Sequence, residues 1–264
     1  MQTNNNCALV TGATSGIGYE LAKLFAKDSY SLVIVARSQK ELDNVQAELQ
    51  ALGAPSVTTI ATDLFTRENA FGLYEDIRSR GIRVDVLVND AGQGEYGEFV
   101  DNDIDRELDI IDLNIVSVVI LTKQFLKEMV ARGNGKILNV ASIAGKLPGP
   151  LQAVYHGTKA FVHSFTEAIR NEVKDTGVTI TSLLPGATDT DFFNKAGMQE
   201  AKNVQEGELA DPADVAKDGY GALMEGKDMV ISGFKNKVQV AMSNITPDSA
   251  VAEKVHKQQA PAGK

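Results

Sequence analysis

The chain contains 264 residues, of which 43% are hydrophobic and 23% are charged, and its formal net charge is −9. A chain of this length can bury a sizeable core, and one α/β domain of this size is ordinary. The excess of acidic residues repels phosphate backbones and anionic lipid over most of the surface. Composition therefore argues against nucleic acid and against a membrane as partners.

Cysteine content and the first residues bear on the cellular compartment. Cys7 is the single cysteine, so no internal disulfide can form. The opening MQTNNNCALV has neither the basic region nor the long apolar region of a secretory signal. The apolar run at 115–121 is far shorter than the roughly 20 residues that span a bilayer. We therefore expect a cytoplasmic protein.

Short β-branched runs alternate with longer helical patterns along the chain. Helical spacing of apolar residues is longest at 103–132 and 154–176. The alternation predicts one α/β domain over 1–264, a doubly wound seven-stranded parallel sheet with helices on both faces. After Pro247 we expect a fraying C-terminal tail, 247–264. The predicted strands, apolar throughout as buried parallel strands should be, are 7–12, 31–36, 56–61, 84–89, 135–142, 178–185 and 228–232.

The turn after the first strand, TGATSGIG, is rich in glycine. Gly12, Gly16 and Gly18 lie between that strand and a helix that begins near Ile17. Small residues there let a pyrophosphate approach the unpaired N–H groups of the helix N-terminus. A tight turn without a nucleotide would also favour glycine, for steric reasons. In this strand, turn and helix setting we favour dinucleotide binding, although the spacing is not G-x-G-x-x-G.

The end of the second strand bears on the choice of cofactor. Ala36 and Arg37 stand where an acidic residue would bind the free hydroxyls of an adenosine ribose. An arginine instead offers a fork of donors to a 2′-phosphate, so we expect NADP(H) rather than NAD(H). The alternative is a solvated arginine at a helix start. Asp63, after the third strand, is expected to bond the adenine edge or to cap a helix.

Three polar side chains follow the fifth strand and enter the next helix. Tyr155 and Lys159 are an i, i+4 pair, so they share one helix face. A neighbouring ammonium favours a phenolate, and we therefore expect Lys159 to lower the pKa of Tyr155 from about 10. Ser142, at the strand end, would hydrogen-bond a substrate oxygen in the same crevice. Packing and solvation are the alternative roles for each residue taken alone.

Taken together, these motifs resemble the short-chain dehydrogenase/reductase family. TGATSGIG matches its T-G-x3-G-x-G motif, and Ser142, Tyr155 and Lys159 match its S…Y-x3-K site. NDAG at 89–92 matches N-N-A-G with one change, and PGATDT at 185–190 is similar to the segment placed against the nicotinamide. Asn114 matches the helix asparagine that completes the family's catalytic tetrad.

The resemblance implies a Rossmann fold and hydride transfer between NADP(H) and a carbonyl or secondary alcohol, with Tyr155 as general acid/base. Lys159 would also hold the nicotinamide ribose. The expected cofactor-binding residues are Gly12, Thr14, Ser15, Gly16, Ile17, Gly18, Arg37, Asp63, Leu64, Asn89, Ala91, Gly92, Tyr155, Lys159, Pro185, Gly186, Thr188 and Thr190.

The NDAG segment departs from the family pattern at one position. Asp90 is a carboxylate where the family has an amide, which leaves its contact open. We expect Asn89 to bridge neighbouring strands. Ala91 and Gly92 would let the backbone approach the cofactor closely.

Family resemblance also places the substrate pocket and a lid. The expected pocket residues are Ala144, Leu147, Leu151, Phe192 and Phe193, and the expected lid is about 189–212. Their apolar character indicates a small-molecule ketone or aldehyde with an apolar body. A homodimer through helices 103–132 and 154–176 is favoured over a homotetramer.

Two other function classes remain open. A non-catalytic NADP(H)-binding sensor would have no need of Ser142, Tyr155 and Lys159 together. A sugar-nucleotide epimerase or dehydratase normally has a larger substrate domain and a different glycine spacing. The three histidines form no ligand spacing, so we expect no metal, and we expect His156 to pack at the surface.

Overall fold

The molecule, a computed structural model that describes residues 6–262, is built around one parallel sheet. The strand order is β3-β2-β1-β4-β5-β6-β7, which confirms the predicted seven-stranded doubly wound fold. The strands end within two residues of the predicted limits. They are β1 (Cys7–Thr11), β2 (Ser31–Ala36), β3 (Val57–Ala61), β4 (Val86–Asn89), β5 (Gly135–Val140), β6 (Val178–Leu184) and β7 (Met229–Ile231).

Helices cover both faces of the sheet and also close its carboxyl edge. They are α1 (Gly16–Lys27), α2 (Gln39–Ala51), α3 (Arg67–Ser79), α4 (Ile104–Ile111), α5 (Ser117–Arg132), α6 (Ala153–Glu172), α7 (Phe192–Lys195), α8 (Lys202–Gln205), α9 (Pro212–Glu225), α10 (Phe234–Ser243) and α11 (Asp248–Gln259). None of those between residues 6 and 262 has the length and apolar character needed to cross a bilayer.

Side-chain alternation divides the core into two layers. Along β1, Ala8 and Val10 point to the layer that contains Phe25 of α1, whereas Cys7 and Leu9 point to the layer beneath α3 and α5. Successive residues of a strand face opposite sides, so a strand covered on both sides must be apolar throughout. This explains why the strands appear in the sequence as continuous apolar runs.

The sheet winds in opposite directions from its centre. β1 pairs in parallel with both β2 and β4, so the two halves diverge at that point. In open α/β sheets a ligand crevice forms at this reversal, outside the carboxyl ends of the strands. The loops after β1, β4 and β5 all open into it.

The predicted helix over 103–132 is interrupted. α4 and α5 are joined by a wide π-type turn over Asp112–Val116, in which the N–H of Ser117 donates to the carbonyl of Asp112. Such turns insert a residue into the helix and are frequent at functional sites. Asn114 lies within this turn.

The prediction of a fraying tail after Pro247 is wrong for most of that segment. α11 forms there, and Val251 and Val255 are buried against Leu147. Two apolar residues four positions apart in a polar sequence make a weak pattern, and only the tertiary contact stabilises this helix. The last residues of the predicted tail, 263–264, lie outside the described residues.

Candidate active site

A cleft of about 2010 Å³ runs along the carboxyl ends of the strands. It brings together most residues that the sequence singled out, from the segments that follow six of the strands and from α6. The predicted residues that line it are Gly12, Thr14, Ser15, Gly16, Ile17, Arg37, Asp63, Leu64, Ala91, Gly92, Ser142, Ala144, Leu147, Tyr155, Lys159, Pro185, Gly186, Thr188, Thr190, Phe192 and Phe193.

The glycine loop is a close-packed cradle at one end of the cleft. Gly12 and Gly16 have φ angles of 71° and 60°, which side chains with a Cβ rarely adopt. A Cβ on Gly18, in the first turn of α1, would lie 2.5 Å from Oδ2 of Asp90 and 2.7 Å from the carbonyl oxygen of Gly12, so this position needs glycine. The helix N-terminus therefore faces the cleft without side chains in the way, which suits a dinucleotide phosphate.

Arg37 and Asp63 occupy the outer end of the cleft. The Arg37 side chain is exposed, and its guanidinium carbon lies 5.7 Å from the ring centroid of Phe65. The carboxylate of Asp63 accepts a hydrogen bond from the N–H of Phe65 at 3.2 Å. It is not the cap of the following helix, because that helix begins at Arg67 after Thr66.

Asn89 and Thr11 hold the loop after β4. Nδ2 of Asn89 donates to Oδ1 of Asn139 on the neighbouring strand at 2.8 Å and to Oγ1 of Thr122 at 3.0 Å. Thr11 Oγ1 accepts from the backbone N–H groups of Asp90 and Ala91, at 3.1 and 3.2 Å. Asn89 thus bridges two strands, and it does not line the cleft.

The Asp90 carboxylate points back under the glycine loop. It accepts a hydrogen bond from the backbone N–H of Gly18, which occupies one of the free donors at the start of α1. Burial raises the pKa of Asp90, and the ammonium of Lys159 partly opposes this rise. Burial lowers the pKa of Lys159, and the Asp90 carboxylate partly opposes that fall. The two groups form one coupled pair between the cradle and the base of the cleft.

Ser142, Tyr155 and Lys159 converge at the inner end. Ser142 Oγ accepts from the N–H of Ala144 at 3.0 Å and makes a hydrogen bond with Tyr155. Lys159 Nζ donates to the carbonyl of Val140 at 2.8 Å and lies 5.9 Å from the Tyr155 ring centroid. The i, i+4 spacing on α6 therefore places the amine and the phenol side by side.

The expected lowering of the Tyr155 pKa is wrong. Burial raises the pKa of Tyr155 to about 12; the hydrogen bond with Ser142 lowers it and the Asp90 carboxylate raises it further. Lys159 donates its hydrogen bond to the carbonyl of Val140, and its ammonium interacts electrostatically with the Asp90 carboxylate. Desolvation therefore outweighs the nearby amine, and the phenol is protonated at neutral pH.

Asn114 supports the base of the cleft from the π-type turn. Its Oδ1 accepts from the N–H of Gln93 at 3.0 Å, and its Nδ2 donates to Thr158 Oγ1 at 3.0 Å. A Cβ on Gly92 would lie 3.2 Å from Asn114 Oδ1 and 3.3 Å from Lys159 Nζ. Asn114 and Lys159 are therefore neighbours, although Asn114 itself does not line the cleft.

The expected lid segment folds over Tyr155. The ring of Phe192 in α7 lies 4.9 Å from that of Tyr155, centroid to centroid. Phe192 and Phe193 pack on a small apolar cluster that includes Met198. Together with Leu147 they make an apolar wall beside the phenol.

Three sequence expectations need correction. Leu151 is not among the residues that line the cleft; its backbone is left-handed, with φ of 67°, and its carbonyl accepts from the N–H of Gly97 at 2.9 Å. His156 is buried rather than at the surface, and its Nδ1 contacts the carbonyl of Leu147 at 2.8 Å. Gly18, expected to bind the cofactor, packs against the Asp90 carboxylate and does not line the cleft either.

Sequence reasoning missed Gln152 and Gln259, which line the cleft beside His156. The two glutamines are 107 positions apart and belong to no motif. No local pattern relates α11 to the start of α6, so only the folded chain could reveal this contact.

The fold and the cleft together define a dinucleotide-binding oxidoreductase with a serine, a tyrosine and a lysine at the inner end. The family model for short chain dehydrogenases matches residues 6–201. The chain belongs to the short-chain dehydrogenase/reductase family.

Known proteins of several kinds are similar to this chain. Very-long-chain 3-oxoacyl-CoA reductase of Bos taurus is 38% identical over 187 residues, which are 67% of this chain and only 58% of that protein. An uncharacterized oxidoreductase of Staphylococcus epidermidis is 30% identical over 77% of this chain and 87% of its own length. A short-chain dehydrogenase from Sphingobium yanoikuyae, solved in complex with NADPH, matches with a TM-score of 0.81 and 26% identity, covering 91% of this chain and 94% of that one.

Proposed function

We propose that this protein is an NADPH-dependent reductase of ketones or aldehydes in which Tyr155 is the general acid. One observation carries the proposal: the Tyr155 phenol and the Ser142 hydroxyl meet at the inner end of a cleft whose outer end carries Arg37. A non-catalytic NADP(H) sensor would need only the cofactor-binding outer end of the cleft.

The side chains perform the proton chemistry. Ser142 and Tyr155 donate hydrogen bonds to the carbonyl oxygen and thereby polarise the bond to carbon. The bound cofactor supplies the hydride to that carbon when it is present. As negative charge develops on oxygen, the phenol transfers its proton and the alcohol leaves, while nearby Lys159 stabilises the phenolate.

The residues present fit the cofactor. Gly12 and Gly16 make room for a pyrophosphate, and Arg37 is exposed at the strand end with no acidic residue at position 36 or 37. The relative solved with NADPH supports the same choice. NADPH is therefore proposed over NADH.

The substrate is proposed to be a small carbonyl compound with an apolar body. Leu147, Phe192 and Phe193 offer an apolar wall, and we propose 189–212 as a lid that excludes water on closing. The reductase of 3-oxoacyl-CoA found in Bos taurus supports a carbonyl flanked by an acyl chain.

The single buried cysteine suits the cytoplasm, where thiols stay reduced.

A carbonyl panel followed by NADPH absorbance and product analysis tests the function. We expect net oxidation of NADPH with formation of the alcohol. Absence of turnover with intact NADPH binding would favour a sensor, and conversion without net NADPH oxidation would favour an epimerase or dehydratase.

The cofactor preference is tested by replacing Ala36 with Asp and Arg37 with Ser. The change adds an acceptor for ribose hydroxyls and removes the guanidinium that pairs with a 2′-phosphate. We expect the NADPH to NADH ratio of kcat/KM to fall about 10- to 100-fold, since charged hydrogen bonds contribute about 1.5–3 kcal/mol. Arg78→Ser, at an exposed position on α3 outside the cleft, is the matched control. An unchanged ratio in the double variant contradicts the assignment of Arg37.

A further inference from the structure

Two buried glutamines beside Tyr155 each present an unpaired polar atom. Gln152 is 4% exposed and Gln259 is 6% exposed, and both line the cleft. Among residues 6–262, Nε2 of Gln152 and Oε1 of Gln259 have no hydrogen-bond partner. Leaving such atoms buried and unpaired is costly, so native proteins pair nearly all of them.

A relay of hydrogen bonds determines which atoms stay free. The carbonyl of Leu147 can only accept, so His156 donates to it from Nδ1, at 2.8 Å, and presents a lone pair on Nε2. The Gln259 amide nitrogen lies 3.3 Å from that Nε2 and 3.3 Å from Oε1 of Gln152. Both of its hydrogens are thereby used, which leaves an acceptor on Gln259 and a donor on Gln152.

The free donor of Gln152 lies near the edge of the Tyr155 ring. A Cβ on Gly94 would be 3.3 Å from Nε2 of Gln152 and 3.4 Å from Cδ2 of Tyr155. The Gln152 amide and the Tyr155 ring therefore both lie next to Gly94. The Tyr96 hydroxyl donates to the backbone carbonyl of Gln259 at 2.6 Å and holds the end of α11 in place. The glutamine pair is therefore preorganised by contacts at both ends.

The glutamine pair and the adjoining imidazole carry no charge. Gln152 and Gln259 are neutral, and burial lowers the pKa of His156, which keeps the imidazole neutral at pH 7. Nothing in the pair favours a carboxylate or a phosphate. A hydroxyl fits both free atoms at once, because its oxygen can accept from Gln152 while its hydrogen is donated to Gln259.

We propose that Gln152 and Gln259 form a subsite that binds a hydroxyl group of the substrate, a few bonds from the carbonyl that is reduced. This inference rests on the proposed reductase function and names the substrate class as hydroxyketones. The C-terminal helix α11 thereby contributes a specificity-determining residue to the site that contains Tyr155.

Matched ketone pairs test the subsite. One pair is cyclohexanone with and without a hydroxyl on the ring carbon opposite the carbonyl, and the other is methyl propyl ketone with and without a terminal hydroxyl. We expect the wild type to favour at least one hydroxylated member by about tenfold in kcat/KM, because the unhydroxylated ketone leaves the two amide groups unpaired.

The variants Gln152→Met and Gln259→Met keep the side-chain length but remove the polar atoms. We expect each variant to lower kcat/KM for the hydroxylated ketone and to leave kcat/KM for the unhydroxylated ketone unchanged. The ratio of the two values should therefore fall to about 1. Gln50→Met, at an exposed position on α2 outside the cleft, should retain the preference. Equal rates within both pairs in the wild type, or a parallel loss on both members in the variants, would show that the glutamines hold only water or serve packing.

Binding without turnover separates this inference from the proposed function. Dissociation constants of cyclohexanol and cyclohexane-diol are measured by ligand-observed NMR on the wild type and on Gln152→Met. A tighter diol, with the advantage lost in the variant, supports the subsite even if no ketone is reduced. Equal affinity for the two alcohols in the wild type overturns it.

Discussion

At the scale of single residues, the phenol of Tyr155 is surrounded by groups with opposing effects on its proton. Phe192 shields it from water, Ser142 bonds to it, and Asp90 places a negative charge within reach. Because burial dominates, the tyrosine holds its proton over the whole neutral range. That state suits donation to a carbonyl oxygen, whereas the reverse reaction must first remove the proton.

The first prediction concerns that proton. Tyr155→Phe retains the ring that contacts Phe192 and removes only the hydroxyl. We expect kcat to fall at least about 100-fold, the usual lower bound for losing a general acid, with NADPH affinity nearly unchanged. Steady-state kinetics and NADPH titration measure the two quantities. A variant that keeps more than about a tenth of the wild-type rate, with chemistry rate-limiting, contradicts the assignment.

The second prediction concerns Asp90 and pH. Its carboxylate raises the pKa of Tyr155, since a nearby anion disfavours a phenolate. Asp90→Asn removes the anion, so the tyrosine pKa falls. Alcohol oxidation needs the phenolate as base, so the rate of oxidation rises with pH through the pKa of Tyr155. In Asp90→Asn we expect this rise in rate to occur at lower pH. The pH profile of kcat for alcohol oxidation with NADP+ measures the shift of this midpoint.

A remote acid provides the control for that shift. Asp109→Asn, at an exposed position on α4, should leave the midpoint of the profile in place. If the midpoint for Asp90→Asn is unchanged or moves to higher pH, the Asp90 carboxylate does not repel the Tyr155 phenolate and the prediction is wrong.

At the scale of elements, α11 depends on a small apolar contact. Val251 and Val255 are the residues of α11 that meet Leu147, which itself lines the cleft. Gln259 lies one turn beyond Val255, so the position of its amide depends on the same contact. The helix therefore couples a stabilising interaction to the wall of the substrate pocket.

Val255→Ala tests that coupling. It removes two buried methyl groups, and at about 0.8 kcal/mol for each we expect the free energy of unfolding to fall by about 1–2 kcal/mol. We also expect kcat/KM to fall while NADPH affinity is retained. Val238→Ala, at a 46% exposed position on α10, should change stability by less than about 0.5 kcal/mol. Equal effects of the two substitutions would indicate that α11 is not docked in solution.

At the scale of the whole molecule, α4 and α6 pack together and expose large apolar side chains. Ile104, Leu108 and Phe161 are 60%, 50% and 41% exposed. Exposed apolar groups close together are typical of interaction sites. The helices are those through which the sequence predicted a homodimer, and we keep that interface as a proposal.

Leu108→Glu tests the proposed interface. A charge buried between two copies is strongly unfavourable, so we expect the dimer to become a monomer at micromolar concentration. Sedimentation velocity measures the change. Phe234→Glu, at an 80% exposed site on α10, is the matched comparison and should leave the dimer intact. A monomeric wild type, or dissociation by Phe234→Glu instead, contradicts the prediction.

The fold and the cradle of the site were predictable from local sequence. Continuous apolar runs predicted the seven strands, because strands buried on both faces cannot alternate with polar residues. The glycines at the turn from β1 into α1 predicted the cradle, because residues without side chains leave the helix N-terminus open to a phosphate. The i, i+4 spacing predicted that Tyr155 and Lys159 would be neighbours, since helix geometry is independent of the rest of the chain.

The sequence by itself thus determined the parallel sheet, the glycine cradle and the shared helix face of Tyr155 and Lys159. Only the tertiary structure decided the high pKa of Tyr155, the position of Asp90 beneath the cradle and the meeting of Gln259 with Gln152. The physical reason is distance along the chain. Strand, turn and helix preferences act over a few residues, whereas burial and hydrogen bonds between Gln152 and Gln259, 107 positions apart, exist only after the chain has folded.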